Sequence, residues 1–321
     1  MSIEKEFVKK SLSELDISAE NIHEIQDGSD TLFQLEDKNS RSLVVKFRTY
    51  SSLEKSWFEK EPLIIPEIRQ KTDLPVPEII DSSISNEKPF FVMNKISGKT
   101  LSEASKELEE DEVLKIMENL GRYLAELHST KLGLVSGFGW LVNSEGSIKL
   151  REEENWRKMF ESMIDYRIDS LEDTRFDEYL EQIKEFSEKH YHLLESLDNP
   201  ALIHDDFRPG NIMINKRNVS GIIDWARASS ADPEYDLINS IYHFQEEIGI
   251  DNNLIEKRFI SGYTSVGTLS DNFEDKKDLY LLNAISGKMT GFANFWGENY
   301  SEEKQEEIEK RLRENLETIL N

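Results

Sequence analysis

The stretch AlaLeuIleHisAspAspPheArgProGlyAsnIleMetIleAsn, residues 201–215, followed by SerGlyIleIleAspTrp at 220–225, decides how this chain reads. Each half sets a short apolar run beside a polar loop, the pattern of a buried strand that ends at a site. Asn211 follows Asp206 by five positions, and Asp224 closes the run GlyIleIle. A hairpin between the halves brings the three together and gathers oxygen acceptors around a cation. Phosphoryl transfer needs such a set: a carboxylate to orient the attacking hydroxyl, and hard oxygens to hold Mg²⁺ against phosphates. An acidic turn is also rich in Asp, Asn, Gly and Pro, but a turn alone does not account for this joint order.

The remaining composition narrows the setting. With 321 residues, 37% of them hydrophobic, the chain can build a sizeable core. It has no cysteine, so no disulfide framework, thiolate metal site or cysteine nucleophile is available. The N-terminus lacks a signal-type apolar stretch, and no segment approaches the roughly 20 apolar residues of a membrane span. A cytoplasmic protein with no membrane partner is expected. The formal net charge of −25, from 64 acidic and 39 basic side chains, argues against binding nucleic acid through the general surface. Cationic partners are favoured, although most of the acidic excess serves to solvate the surface. A nucleotide-binding protein this acidic must neutralise phosphates with a few placed cations and metal ions.

Hydrophobic patterning divides the chain in two. Residues 4–15 read as a short helix, and Thr31–Glu36 with Ser42–Phe47 as a hairpin. Trp57–Lys71 has helical spacing, which Pro62 and Pro66 are expected to limit. A second strand pair, Glu78–Ser82 and Phe90–Asn94, turns through SerAsnGluLys. From Leu101 the period becomes helical, most clearly over Asp111–His128, and it stays so through 152–197 and from Glu234 onward. The expected architecture is α+β and bilobal: an antiparallel β lobe over 1–95 and a larger, mostly helical lobe over 96–321. The island 201–233 interrupts the second lobe.

The order His, one residue, Asp, four residues, Asn, then a distant Asp after a strand is that of kinase catalytic and metal loops. The sequence resembles the aminoglycoside phosphotransferase and choline kinase families, whose fold is protein kinase-like. Their catalytic loop usually runs HisGlyAsp, two residues, ProGlyAsn, and their metal motif is IleAspTrp or IleAspPhe. The matching residues are His204, Asp206, Pro209, Gly210 and Asn211, then Ile223, Asp224 and Trp225. AspProGluTyrAspLeu at 232–237 and the helix ending in LeuHis at 127–128 follow the same order. The resemblance implies Asp206 as catalytic base, Asn211 and Asp224 as Mg²⁺ ligands, and His204 and Asp236 as supports of the loop. One residue departs from the pattern. Asp205 stands where the family usually has Gly or Asn, and it is expected to turn outward and cap a backbone group.

By the same resemblance the β lobe binds ATP or GTP. Lys46, after LeuValVal, would hold the phosphates and pair with Glu61, with Glu59 as a competitor. Ser29 and Asp30, in the AspGlySerAsp turn, would cover the phosphates, and the backbone of Asn94 and Ile96 would meet the purine. Family members bind amines through acidic residues of the helical lobe. Candidates here are Glu234, Glu246, Glu247 and Glu298. The function implied is γ-phosphoryl transfer to a hydroxyl of a cationic small molecule, an aminoglycoside first, by a monomer. The alternatives are another amino sugar or choline-like alcohol as acceptor, or a pseudokinase that only binds nucleotide. A protein substrate is disfavoured, because Asp232 and Pro233 follow Ala226 too closely for a long activation loop.

Overall fold

The computed structural model describes residues 3–27, 30–48, 55–84, 88–195, 197 and 199–321. The N-terminal part opens with α1 (Lys5–Ser13), then β1 (Ala19–Asp27), β2 (Asp30–Asp37) and β3 (Ser42–Arg48). After α2 (Lys55–Lys71) come β4 (Ile79–Ser83) and β5 (Phe90–Asn94), completing an antiparallel sheet in the order β1-β2-β3-β5-β4. Strand periodicity sorts β3 into two faces. Leu43, Val45 and Phe47 join Val8 and Leu12 of α1 in a small core, while Lys46 points to the other side. The two expected strand pairs are present. The SerAsnGluLys turn lies almost wholly outside the described residues, and β1 is an addition.

The 17-residue helix α2 runs unbroken through Pro62 and Pro66, against the expectation that they would limit it. Each internal proline costs about 3 kcal/mol. Ile64, Ile65 and Ile68 are completely buried on the inner face, and burying each contributes about 1.5–3 kcal/mol, which offsets that cost. These isoleucines, with Leu74 and Val76, belong to the large core of the C-terminal part. The helix thus joins the sheet to the rest of the molecule, across the boundary expected at residue 95.

The chain crosses over through β6 (Lys99–Thr100), which pairs with Met213 and Ile214 of the island, and α3 (Leu101–Ala104). Gly98, at φ +123°, permits this crossing: a Cβ there would lie 2.1 Å from the carbonyl oxygen of Ile214. Next are α4 (Glu110–Ser129), the hairpin β7 (Gly139–Ser144) and β8 (Ser147–Glu152), and helices α5 (Trp156–Leu171) and α6 (Leu180–His190). The island supplies β9 (Ala201–Ile203), β10 (Ile212–Asn215), β11 (Asn218–Ile222) and β12 (Ser229–Ala231). These four strands fall in two small sheets, ordered β11-β10-β6 and β8-β7-β12-β9. Helices α7 (Pro233–Glu247), α8 (Asn252–Thr264), α9 (Phe273–Gly291) and α10 (Glu302–Leu320) complete the chain. The buried stripe of α4, from Val113 to Leu127, confirms the amphipathic reading. No helix among the described residues is long and apolar enough to cross a membrane.

Candidate active site

Between the five-stranded sheet and the island, one lysine meets three carboxylates. Lys46 Nζ lies 2.7 Å from Glu61 Oε2, 3.0 Å from Asp224 Oδ1 and 3.4 Å from Asp30 Oδ2. The side chain is buried, and its Nζ stands 6.0 Å from the Phe58 ring centre and 5.9 Å from that of Phe91. Burial disfavours the ammonium, but Asp224, Glu61 and Asp30 together hold its pKa well above the usual lysine value. The surplus acid shows on the other side of the account: burial raises Glu61 and Asp30 against the pull of Lys46. Asp224 is lowered, because Lys46 outweighs its burial. Glu61 Oε1 also accepts from the Trp225 backbone N–H at 3.3 Å, and Lys60 donates to the Ala228 carbonyl at 2.6 Å, so α2 is tied to the loop after Asp224. Glu59 points elsewhere, accepting from Asn143 Nδ2 at 3.1 Å. Ser29 lies outside the described residues.

The catalytic-type loop is built from its backbone outward. Asp236, fully buried near the start of α7, accepts the N–H groups of His204 at 2.9 Å and Asp205 at 3.0 Å. His204 Nδ1 accepts from the Asp206 N–H at 3.3 Å, and Nε2 reaches the Ile223 carbonyl at 3.2 Å, an arrangement that fits the Nε2–H tautomer. One imidazole therefore joins the loop of Asp206 to the strand end that carries Asp224. Asp205 and Asp224 both sit in left-handed conformations, φ +58° and +64°. Such geometry favours Gly or Asn, which accounts for the usual residue at position 205 and aims the neighbouring side chains.

Asp206 faces the cleft. Its Oδ2 accepts from Asn211 Nδ2 at 2.7 Å, and its Oδ1 from Arg208 Nε at 3.1 Å. Burial raises its pKa above the ordinary aspartate value, opposed by Arg208 and Arg227. The Asn211 amide also donates to the Asp206 carbonyl at 2.9 Å. With both donations made by Nδ2, Oδ1 is left as an acceptor. Asn211 Oδ1 and the Asp224 carboxylate, whose side chain is 42% exposed, are hard-oxygen donors that could hold a Mg²⁺–phosphate complex. Two protein oxygens leave the remaining positions of such an ion to phosphate and water.

Asp205 does not turn outward, as the sequence suggested. It is buried, accepting from Tyr235 OH at 3.0 Å and Arg227 Nη2 at 3.3 Å, because a carboxylate in that pocket has a cation and a phenol to satisfy it. The interlobe strand end places Asn94 in the sheet with its N–H given to the Glu78 carbonyl at 2.9 Å and its side-chain oxygen accepting the Glu78 N–H. Ile96 makes no main-chain hydrogen bond among the described residues, and its side chain covers Gly221.

The four acidic acceptor candidates scatter. Glu234 is buried in a cluster with Lys276 at 2.5 Å and the Ser270 hydroxyl at 2.8 Å. Glu246 pairs with Arg311 at 3.2 Å and Asn315 at 3.1 Å. Glu298 is exposed in a short turn after α9. Glu247 lies 3.9 Å from both Lys288 and His243 and near enough to Arg208 to act on it. Arg208, Arg227 and His128, whose Nε2 contacts Asp236 at 3.2 Å, complete the site and were not singled out from the sequence. Arg208 carried a signal, as a cation two positions after Asp206. His128 carried one in the LeuHis ending of its helix.

A β lobe and a helical lobe that meet at a lysine–glutamate pair, a loop carboxylate and a second aspartate define the kinase-like phosphotransferase class. The chain belongs to the phosphotransferase enzyme family (APH), whose model matches residues 21–265. It is 25% identical over 300 residues to a probable ketoamine kinase of Vibrio cholerae serotype O1, covering 90% of this chain and 87% of that one. It is 22% identical over 177 residues to a hygromycin-B 4-O-kinase of Escherichia coli, covering 53% of this chain and 48% of the other. A thermostable mutant of the aminoglycoside phosphotransferase APH(4)-Ia, in ternary complex with AMP-PNP and hygromycin B, superposes with a TM-score of 0.72. That match is at 17% identity over 98% of this chain and 97% of the other. ADP-bound APH(2'')-Ib follows at a TM-score of 0.63 and 17% identity, covering 99% and 97% of the two chains. The α+β, kinase-like fold read from the sequence is thereby established, and with it a small-molecule phosphotransferase.

Proposed function

We propose that this protein transfers the γ-phosphoryl group of ATP to a hydroxyl of a small organic acceptor. The observation that carries the reading is the convergence of Asp206, Asn211, Asp224 and Lys46 on one cleft. Lys46, held by Glu61, would neutralise the nucleotide phosphates, while the main chain at Ile96 offers a free donor and acceptor to the purine. Asn211 and Asp224 would hold Mg²⁺, which supplies charge neutralisation between phosphates. Asp206 would orient the acceptor hydroxyl and take its proton as the new P–O bond forms and ADP leaves. ATP is preferred over GTP because folded relatives hold AMP-PNP and ADP.

For the acceptor, the two relatives are named as kinases of a ketoamine and of the 4-O position of hygromycin B, which supports a small organic alcohol. An aminoglycoside, the first expectation, needs several unpaired carboxylates near Asp206. Two of the four candidates, Glu234 and Glu246, are paired with Lys276 and Arg311. The test of the phosphotransfer reading is ADP release by the purified protein, dependent on a divalent cation. Asp206→Ala is expected to lower kcat by about 10²–10⁴-fold while nucleotide binding persists. Turnover unchanged by that substitution would remove Asp206 from its assigned role, and nucleotide binding without turnover by the native protein would mark a pseudokinase.

A further inference from the structure

The acidity of this chain makes the cations around Asp206 conspicuous. Four of them come from separate segments and form one linked group about Asp206: Arg208 in the Asp206 loop and Arg227 after Asp224 act on Asp206 itself, Arg167 on α5 lies within the influence of Arg227, and Lys288 on α9 within that of Arg208. Their mutual influence is recorded on the groups between them. Arg208 and Arg227 act on Asp206, and Lys288, Arg208 and Arg227 all add to the burial that lowers the pKa of His243 on α7. Arg227 is matched by Asp205, Arg208 leans on Asp206, and Lys288 has Glu247 at 3.9 Å.

Arg167 differs from the other three. Among the described residues no carboxylate lies within 4 Å of it, and its one hydrogen bond is a long one, 3.4 Å from Nε to Asn283 Oδ1. Asn283 passes the contact on, donating to Tyr235 OH at 3.1 Å, which in turn donates to Asp205 beside the reaction centre. The guanidinium lies against Gly287 of α9, where a Cβ would come within 3.2 Å of its carbon and of Nη2. The half-exposed ring of Tyr166 stands 5.6 Å from it. Burial, with Arg227 second, lowers its pKa, as expected of a desolvated cation that lacks a counter-ion. With Nε engaged, an arginine so placed keeps its terminal edge, one N–H from each Nη, for an oxyanion.

We infer that the acceptor carries an anionic group, a carboxylate or a phosphate, and that Arg167 is the residue that binds it, with Lys288 adding to the field. This inference rests on the proposed phosphotransfer, since it names the class of acceptor for the same site. It also gives Glu247, between Lys288 and His243, a place beside any amine on the same molecule.

The test uses four hexoses that differ in charge: glucuronate, glucose 6-phosphate, glucose and glucosamine. Thermal stabilisation in the presence of Mg²⁺ and AMP-PNP reads binding, and ADP release in the presence of ATP reads turnover. One or both anions are expected to stabilise the protein more than glucose or glucosamine, and the two anionic arms separate carboxylate from phosphate. In Arg167→Gln the apparent affinity for the preferred anion should fall roughly 10- to 100-fold, and its advantage over glucose should disappear. Stronger stabilisation by glucosamine, no response to either anion, or an anion preference that survives Arg167→Gln overturns the inference. Arg167-dependent anion binding with no ADP release from any of the four compounds keeps Arg167 as the anion-binding residue and counts against the phosphotransfer reading instead.

Discussion

At the scale of single residues, the cleft concentrates opposite charges that the lobes alone would not tolerate. Arg208 is the most informative of them. Its Nε is fixed on Asp206 Oδ1 while 40% of the side chain stays exposed, so that in the proposed reaction its terminal nitrogens would be available to a phosphoryl group in transfer. Donors placed where charge develops stabilise a transition state more than a ground state. Arg208→Gln is therefore expected to lower kcat by about 100-fold or more, with a much smaller change in KM for ATP. Steady-state kinetics at saturating acceptor decide it, and a kcat within twofold of the native value would assign Arg208 to packing. Asp206, Asn211 and Asp224 were legible in the sequence because one short hairpin holds all three. Arg208 was equally visible but was not singled out, since a cation in a loop is usually only a solvated side chain.

At the scale of elements, α7 is the beam on which the site rests, and its first turn is anchored by charge. Asp232 caps the helix through the Glu234 N–H at 3.0 Å, and Asp236 holds the catalytic-type loop. Lys276 of α9 neutralises both Asp232, at 3.1 Å, and Glu234, at 2.5 Å, with 1% of its side chain exposed. Tyr280 donates to the same Asp232 oxygen and accepts from Trp156 Nε1 at 2.9 Å, so α5, α7 and α9 share one polar joint inside the core. Removing a cation from such a joint strands two buried carboxylates. Lys276→Met is expected to destabilise the protein by about 3–5 kcal/mol, seen as a lower urea midpoint at an unchanged slope. A loss under about 1 kcal/mol would mean that the carboxylates protonate or find water at little cost. Glu234 looked like an acceptor ligand in the sequence because its partner lies 42 positions away on another helix.

At the scale of the whole molecule, the net charge of −25 acts on stability more than on recognition. Several ion pairs on the surface are short-range contacts along a helix, such as Lys71–Glu67 and Lys304–Glu307, and exposed pairs of that kind contribute little. Repulsion among the unpaired acids extends over the whole surface. Raising KCl from about 0.01 M to about 1 M shortens the screening length from about 30 Å to about 3 Å. The melting temperature is expected to rise by several degrees over that range. A fall would show that the ion pairs outweigh the repulsion.

The sequence by itself determined the two-part architecture and the phosphotransfer loop, because both are local: strand and helix periods are short, and Asp206, Asn211 and Asp224 lie within one reversal of the chain. Order along the chain also located Lys46 and Glu61, which the folded sheet brings to 2.7 Å. Only the tertiary structure decided the rest. The helix α2 persists through its prolines because three isoleucines are buried beneath it, and Asp205 turns inward because Arg227 and Tyr235 receive it. The acidic acceptor candidates separated and a group of cations took their place around Asp206. Charge pairing and burial join residues that are distant in the chain, and no spacing rule records which acid meets which base.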